Sequence, residues 1–417
     1  MRLPVINNIQ DVVERQLCSG CGVCAYLSPD SIEMVDSDEH GRRPRHKGDR
    51  PDDGDAMKAC PGIKLGHTAD GHPADAIPEL LPAWGPVLEV WEGHATDEAI
   101  RFAGSSGGAA SALALACIES GGMHGVLHVR ARRDAPILNE TVLSTTREEI
   151  LQATGSRYAP ASPCDGLQMI EDAPEPCVFI GKPCDVAAVR NATRLRAPLR
   201  EKVGVTIAFF CAGTPTTKGT MALLDRLDID DPSDVLDVRY RGNGWPGRTV
   251  FTVKSGAGTE IRALSYEESW GEVLTNYKQW RCHVCADHTG EFADIAVGDP
   301  WHRLPGPREP GRSLILVRTE RGRRILADAV AAGYLAVERS EHSVLPAAQP
   351  ELLRSRAAVW GRLLACRMMG VPAPQYRGMP MFRHWWTRLT VREKARATVG
   401  TVRRVNKRRL RARTTIS

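Results

Sequence analysis

The chain has 417 residues, 42% of them apolar and 25% charged, an ordinary globular balance with material for two or three domains. Its net charge of +5 hides an asymmetry: from Arg377 to Ser417 thirteen Lys or Arg face one acid, Glu393, so a tail of +12 follows a remainder of −7. Met1-Arg2-Leu3-Pro4-Val5 runs into polar sequence with no secretory pattern, and the longest apolar stretch, Gly107 to Ile118, suits a buried helix and not a membrane span. A cytoplasmic protein is expected, its twelve cysteines reduced and not paired in a disulfide framework.

In chain order, Ser31 to Val35 reads as a short strand. Residues 36–83, rich in Asp, Gly, Pro and His, read as loops pinned by whatever holds Cys60. From Trp84 the texture becomes an α/β rhythm. Strands are predicted at Val87–Trp91, Gly125–Val129, Val178–Gly181, Val203–Phe210, Ile295–Val297 and Leu314–Val317. Helices are predicted from the Gly107-Gly108 turn to Ile118, over Thr146–Gln152, Met221–Leu227 and Gly322–Ala332. Val235–Tyr240 and Arg248–Lys254 read as paired strands about the turn Gly242 to Gly247. The expected organisation is an N-terminal module over 1–83, a mixed α/β body over 84–350, and a helical segment with a basic tail over 351–417.

Two cysteine constellations carry chemistry. Cys18, Cys21 and Cys24 stand at two-residue intervals, and Cys60-Pro61 follows at a distance. This is the ferredoxin-like run for a 4Fe–4S cluster, three thiolates wrapping a small cube and a remote Cys-Pro closing it. The next cysteine of a full two-cluster run is replaced by Ser28, so Cys60 is the natural fourth ligand. Zinc knuckles usually use two separated pairs and not a triplet. The second constellation is dispersed: Cys184 and Cys211 after predicted strands, and the local pair Cys282 and Cys285. Spacing alone leaves iron–sulfur and zinc level there, because CxxC serves both. Cys117, Cys164, Cys177 and Cys366 show no ligand spacing and read as core.

A third signal is the turn Gly104-Ser105-Ser106-Gly107-Gly108 at a helix start, where backbone N–H groups favour an anion such as a cofactor phosphate. It matches neither a Walker loop nor a dinucleotide fingerprint, and by itself it reads more readily as a tight turn with a capping serine.

Taken in order, these motifs resemble the beta subunit of coenzyme F420-reducing hydrogenase and its wider family, which includes F420-linked dehydrogenase subunits and 7-hydroxymethyl chlorophyll a reductase. The resemblance rests on Gly107-Gly108 opening a small-residue helix, Ala153-Thr154-Gly155-Ser156-Arg157-Tyr158, Pro183-Cys184, Cys211, and Cys282-x2-Cys285 followed by Phe292 to Asp299. It implies an oxidoreductase passing electrons between 4Fe–4S clusters, FAD and an F420-type or other organic substrate. It makes Cys184, Cys211, Cys282 and Cys285 ligands of an inner cluster. It makes Ser105, Ser106, Gly107, Gly108, Gly155, Ser156, Arg157 and Tyr158 contacts of FAD. The N-terminal module is similar to the iron–sulfur annex of longer members. Arg157 departs from the family's usual Lys, and the two differ at phosphates.

Lys182, Arg157 and Arg241 are candidates for phosphate or substrate anions, and the turns at Trp245-Pro246 and Pro300-Trp301 for covering a flat ring. No catalytic residue is fixed; His283, His288 and Lys182 are the candidates for a proton donor. The implied partner is a ferredoxin or a dehydrogenase subunit, with self-association open. An electron-transfer subunit whose substrate site lies in a partner is the alternative. The tail fits an anionic membrane surface, an acidic partner or the acidic body itself better than nucleic acid, since no other basic surface supports the latter; a solvated tail is the plainest reading.

Overall fold

The computed structural model describes residues 4–48, 53–67, 72–256, 258–303, 306 and 309–414, so the last three residues of the basic tail lie outside it. Fifteen strands are present among the described residues. In chain order they are β1 (Ile32–Val35), β2 (Arg43–His46), β3 (Lys64–Gly66), β4 (Glu89–Ala95), β5 (Val126–Ala131), β6 (Asn139–Ser144), β7 (Cys177–Gly181), β8 (Val203–Phe209), β9 (Val235–Arg239), β10 (Arg248–Ser255), β11 (Gly258–Ser265), β12 (Ile295–Gly298), β13 (Ser313–Val317), β14 (Leu335–Arg339) and β15 (Gln375–Arg377).

Eight of them form one mixed sheet in the order β14-β4-β13-β12-β8-β7-β5-β6. Its centre, β12-β8-β7-β5, is parallel, and the flanking strands are antiparallel. The central strands are continuous apolar runs because both faces are covered. Along β7, Val178 and Ile180 face one layer, with Val205, Ile207 and the helix Ala109–Glu119; Phe179 faces the other, with Leu127, Ala208 and the helix Pro183–Ala192. A smaller antiparallel sheet, β11-β10-β9, packs Val238, Phe251 and Val253 against the helix Thr217–Arg226.

The predicted body elements appear within a few residues, save the first strand, which runs Glu89–Ala95. The described residues of 36–83 hold more regular structure than the expected loops: β2, the helix Gly54–Ala59 and β3 lie there, and a short helix Leu81–Trp84 closes the stretch. Their pairing is tertiary. β2 adds antiparallel to β1, Ile32 opposite His46, and β3 pairs in parallel with β15 from the tail region. Such short strands carry little periodicity of their own.

The described part of the tail packs one face on the body. The helix Val391–Lys407 opens on a capping box, Thr390 with Glu393, and buries Ala397, Thr401 and Val405. Val405 and Leu410 pack with Trp280 and Val284 of the CxxC segment. Arg413 pairs with Asp11 at 2.9 Å and Glu14 at 2.6 Å, and Arg408 donates to the carbonyl of Lys278 at 2.9 Å. Of the readings open to the tail, docking on the chain's own acidic body is the one seen here. Among the described residues no helix is long and apolar enough to cross a membrane.

Candidate functional site

The parallel strands β7, β8 and β12 end on one edge of the sheet, where α/β proteins collect ligands. Just beyond β7 come Lys182 and Cys184, the latter in the first turn of the helix Pro183–Ala192. Just beyond β8 comes Cys211, whose N–H donates to the carbonyl of His288 at 2.9 Å. The same residues meet again through His288 Nδ1 and the Cys211 carbonyl, 3.0 Å apart. Cys282 and Cys285 are brought in by the short helix Trp280–His283; the Thr214 N–H reaches Cys282 Sγ at 3.3 Å. Electrostatic influence runs between them: Cys211 and Cys285 act on Cys184, and Cys282 and Cys285 on Cys211. Four cysteines spread over a hundred residues of chain thus share one neighbourhood.

The outer set is assembled locally. Gly20 and Gly22 adopt φ of +76° and +91°, left-handed turns between the closely spaced cysteines. A Cβ on Gly22 would lie 2.7 Å from the Asp165 nitrogen, so the loop also sits hard against the body. Cys60 follows the helix Gly54–Ala59, and Cys24 feels Cys18, Cys21 and Cys60 together. Cys164, which the sequence left as core, touches this set: its N–H donates to the Cys21 carbonyl at 2.9 Å and its thiol to the Asp185 carbonyl at 3.4 Å. Cys164 therefore spans from the outer set to the residue after Cys184. Cys177 begins β7 and so lies at the opposite edge, and Cys117 and Cys366 are core.

Do these residues suit iron–sulfur clusters? All-sulfur donor sets select zinc or iron–sulfur centres. Among the described residues no three His, Cys, Asp or Glu form a site for a single metal ion. In the metal-free chain burial pushes the thiols of Cys18, Cys24, Cys60, Cys184, Cys211 and Cys285 up, whereas the hydrogen bond with Cys164 pulls Cys21 down. Metal binding must displace those protons. Two buried arginines, Arg43 and Arg281, face the thiols, and neither has a carboxylate in ion-pair range among the described residues. Buried cations of this kind call for anions, and thiolates in a cluster supply them.

The flavin expectations can be tested on a cavity of about 300 Å³ at the same sheet edge. Ser105, Ser106 and Gly108 line it from one side, and Gly155, Ser156, Arg157 and Tyr158 from another. The two segments are tied: the Ser156 N–H donates to Ser105 Oγ at 2.7 Å. Gly107 stands behind the turn with φ +70°, where a Cβ would meet the Arg312 backbone at 2.7 Å. The helix Ala109–Glu119 starts in the cavity wall with no side-chain cap, which leaves its first N–H groups for an anion. Tyr266 and Trp301, stacked with centroids 5.4 Å apart, line the cavity, and Trp245 packs behind Trp301 at 5.1 Å. The cavity floor includes Lys182 and Cys211, so it opens onto the inner cysteine set. An anionic cofactor with a flat ring suits this wall.

The charged candidates separate. Arg157 lines the cavity but its guanidinium is spent on framework. Nε donates to Asn139 Oδ1 at 2.7 Å, Nη1 to the Val238 carbonyl at 2.7 Å, and Nη2 to the carbonyls of Pro136 and Leu138. Arg241 is clamped by Asp299, with Nη1 to Oδ2 at 2.9 Å, beneath Tyr266 and Trp301. Lys182 pairs with Asp185 at 2.7 Å; burial works against its charge, but Asp185 and the thiols of Cys184 and Cys211 outweigh it and raise its pKa. Lys182 is thus a fixed charge at the cavity floor and a poor proton donor.

His283 packs beside Trp280 under the tail, outside the cavity wall. Burial first, then Arg408, Arg404, Lys278 and Arg362, push its pKa down to about 2, which disfavours its charged form. His288, pushed down to about 4 chiefly by burial, is held by the Cys211 carbonyl. Sequence reasoning missed Arg43, Arg281, Asp299 and Tyr266. Arg281, adjacent to Cys282, and Asp299, at the end of the motif from Phe292 to Asp299, carried positional signal; Arg43 and Tyr266 carried none.

Comparison with known proteins gives the family. The family model described as "Coenzyme F420 hydrogenase/dehydrogenase, beta subunit N-term" matches residues 90–168, and its C-terminal counterpart matches 175–343. Coenzyme F420 hydrogenase subunit beta of Methanococcus voltae is 27% identical over 286 residues, 67% of this chain and 95% of that protein. F420-dependent formate dehydrogenase 1 subunit beta of Methanococcus maripaludis is 26% identical over 278 residues, 66% of each chain. A chain of the F420-reducing NiFe hydrogenase complex from Methanosarcina barkeri shares the fold with a TM-score of 0.53 and 22% identity, over 71% of this chain and 98% of that one. The two family models together take in more than half of the residues, and the chain belongs to the coenzyme F420 hydrogenase/dehydrogenase beta-subunit family.

Proposed function

We propose that the chain is an iron–sulfur flavoprotein oxidoreductase with an F420-type or other organic substrate. Cys18, Cys21, Cys24 and Cys60 would hold an outer 4Fe–4S cluster, Cys184, Cys211, Cys282 and Cys285 an inner one, and the cavity wall FAD. The observation that carries the reading is the continuity of the site. One cavity is lined by both expected flavin segments and floored by Lys182 and Cys211. When bound, these cofactors supply one-electron transfer and its conversion to hydride chemistry.

The chain's own residues place and tune them. The uncapped start of Ala109–Glu119 and the Ser105–Ser156 link orient an anionic group. Tyr266 and Trp301 exclude water from one wall, with the Arg241–Asp299 pair fixed behind them. Lys182 keeps a positive charge between the cavity and Cys184. The expected partner is a ferredoxin or a dehydrogenase subunit. The similar proteins are named as subunits, which favours, as a second reading, a chain that transfers electrons for a substrate site elsewhere. Hydride exchange of the purified single chain with F420 or NAD(P)H separates the two: turnover alone supports the enzyme, turnover only with a partner the subunit. Replacement Cys21→Ser should abolish electron exchange with an external donor while flavin stays bound; loss of flavin would move the outer set into the catalytic centre.

The tail's outer face supports a weaker attachment. Phe382, Trp386, Val391 and Val399 are exposed among Arg383, Arg388, Arg392 and Arg403, a pattern suited to the surface of an anionic bilayer.

A further inference from the structure

Both cysteine sets meet at a seam between the N-terminal annex and the body, and two guanidinium groups cross it in opposite directions. Arg43 stands on β2 in the annex and reaches into the body, where Nη2 donates to Gln279 Oε1 at 2.8 Å. On the way it packs on the outer cysteine loop: a Cβ on Gly20 would lie 3.2 Å from its Nη1. Arg281 stands beside Cys282 in the body and reaches back, where Nη2 donates to the carbonyl of Pro61, next to Cys60, at 3.0 Å. Arg43 is 4% and Arg281 2% exposed. The Nε of Arg281 has no hydrogen-bond partner, and its guanidinium lies over the Tyr376 ring.

An arginine keeps its charge at any pH a protein survives. Burying such a charge unpaired costs several kcal/mol, so an anion must answer it. Among the described residues no carboxylate forms an ion pair with either. The cysteines in reach would be thiolates as cluster ligands. Cys18, Cys282 and Cys21 act on Arg43, and Tyr376, then Cys285, Cys184 and Cys282, on Arg281. Cys18 of the outer set feels both arginines. Nearby Asp185 does not alter the balance, since Lys182 neutralises it at 2.7 Å.

We propose that Arg43 and Arg281 are positioning residues shared by both clusters, fixed cations across the seam that hold up both reduction potentials and keep the annex against the body. This rests on the iron–sulfur reading above. A cluster gains one negative charge when one electron enters and no bond is made or broken. Adjacent fixed cations favour the reduced form. Because each arginine faces both sets, removing either should move two potentials and not one.

The test is a potentiometric titration followed by electron paramagnetic resonance on the full chain, after iron and sulfide have been assayed. Wild type is compared with Arg43→Met, Arg281→Met, Arg43→Lys and Arg281→Lys. In each Met variant both cluster midpoints should shift to more negative potential, and the Lys variants should recover most of the shift. Unchanged midpoints in fully loaded Met variants would overturn the proposal, as would a shift confined to the nearer cluster. If a Met variant fails to load iron, its Lys partner decides. Iron retained with wild-type midpoints supports the charge role; iron lost there too shows that shape and not charge matters, and overturns it. Wild type without iron would instead sink the cluster reading itself.

Discussion

The two cysteine sets are assembled by opposite routes. The outer set takes three of its cysteines from seven consecutive residues, with glycines at positive φ between them. It has little core of its own: Ile9, Val12, Val13, Leu17, Ile32 and Ala56 pack about Cys18 and Cys24, while Cys21, Val23, Tyr26 and Ala59 share the core of the body. The inner set takes Cys184 and Cys211 from the ends of two sheet strands, with Cys282 and Cys285 brought in by a distant segment. Behind it stands a sheet covered on both faces. The outer ligands would therefore organise their own module, whereas the inner ligands are organised by a fold that does not need them. Small modules with little core commonly depend on their metal in this way.

That contrast can be broken by removing one thiol from each set. Cys24→Ser should strip hydrogen-exchange protection from residues 4–67, by roughly a thousandfold for loss of a structural metal site, and leave β4 to β14 protected. Cys211→Ser should lose the inner iron and leave both regions folded. An annex that stays protected without iron would erase the distinction.

A smaller effect sharpens the boundary between cluster and cavity. Gly107→Ala places a Cβ 2.7 Å from the Arg312 backbone at φ +70°. Strain of about 1–3 kcal/mol at such a position should lower flavin affinity about tenfold or more while iron content stays unchanged. Iron lost along with flavin would show that the two sites are not separable.

Arg157→Lys probes what the cavity wall does. Its guanidinium holds Asn139 and three carbonyls. The shorter ammonium should cost stability by about 1–3 kcal/mol, read as a lower denaturant midpoint, with flavin content close to wild type. Flavin lost at unchanged stability would return Arg157 to phosphate binding. The smallest effect belongs to the tail. Trp386→Ala should weaken binding of the full chain to anionic vesicles in flotation at low salt, and equal flotation of both proteins would remove the membrane reading.

How far the sequence could be read follows the same divide. The outer set was legible as spacing, because local chemistry leaves a local pattern. The central strands β7, β8 and β13 were legible as apolar runs, since two-sided burial writes itself into every position. The inner set was legible only as cysteines near strand ends, and the resemblance supplied its unity. β2, β3 and β15 were not legible: three- and four-residue strands form because a distant partner is there. The tail's charge left several readings open, docking on the acidic body among them; Ala397, Thr401 and Val405 at four-residue spacing mark the face that buries. His283 misled by proximity in sequence, since a residue beside a ligand can still point under a basic helix.

The most direct measurement of the central claim is the cofactor content of the full chain purified without oxygen, by iron, sulfide and flavin assay with electron paramagnetic resonance. About eight irons and eight sulfides per chain, for two 4Fe–4S clusters, together with one flavin, are predicted. Stoichiometric zinc in place of iron, or a protein with neither iron nor flavin, would contradict it.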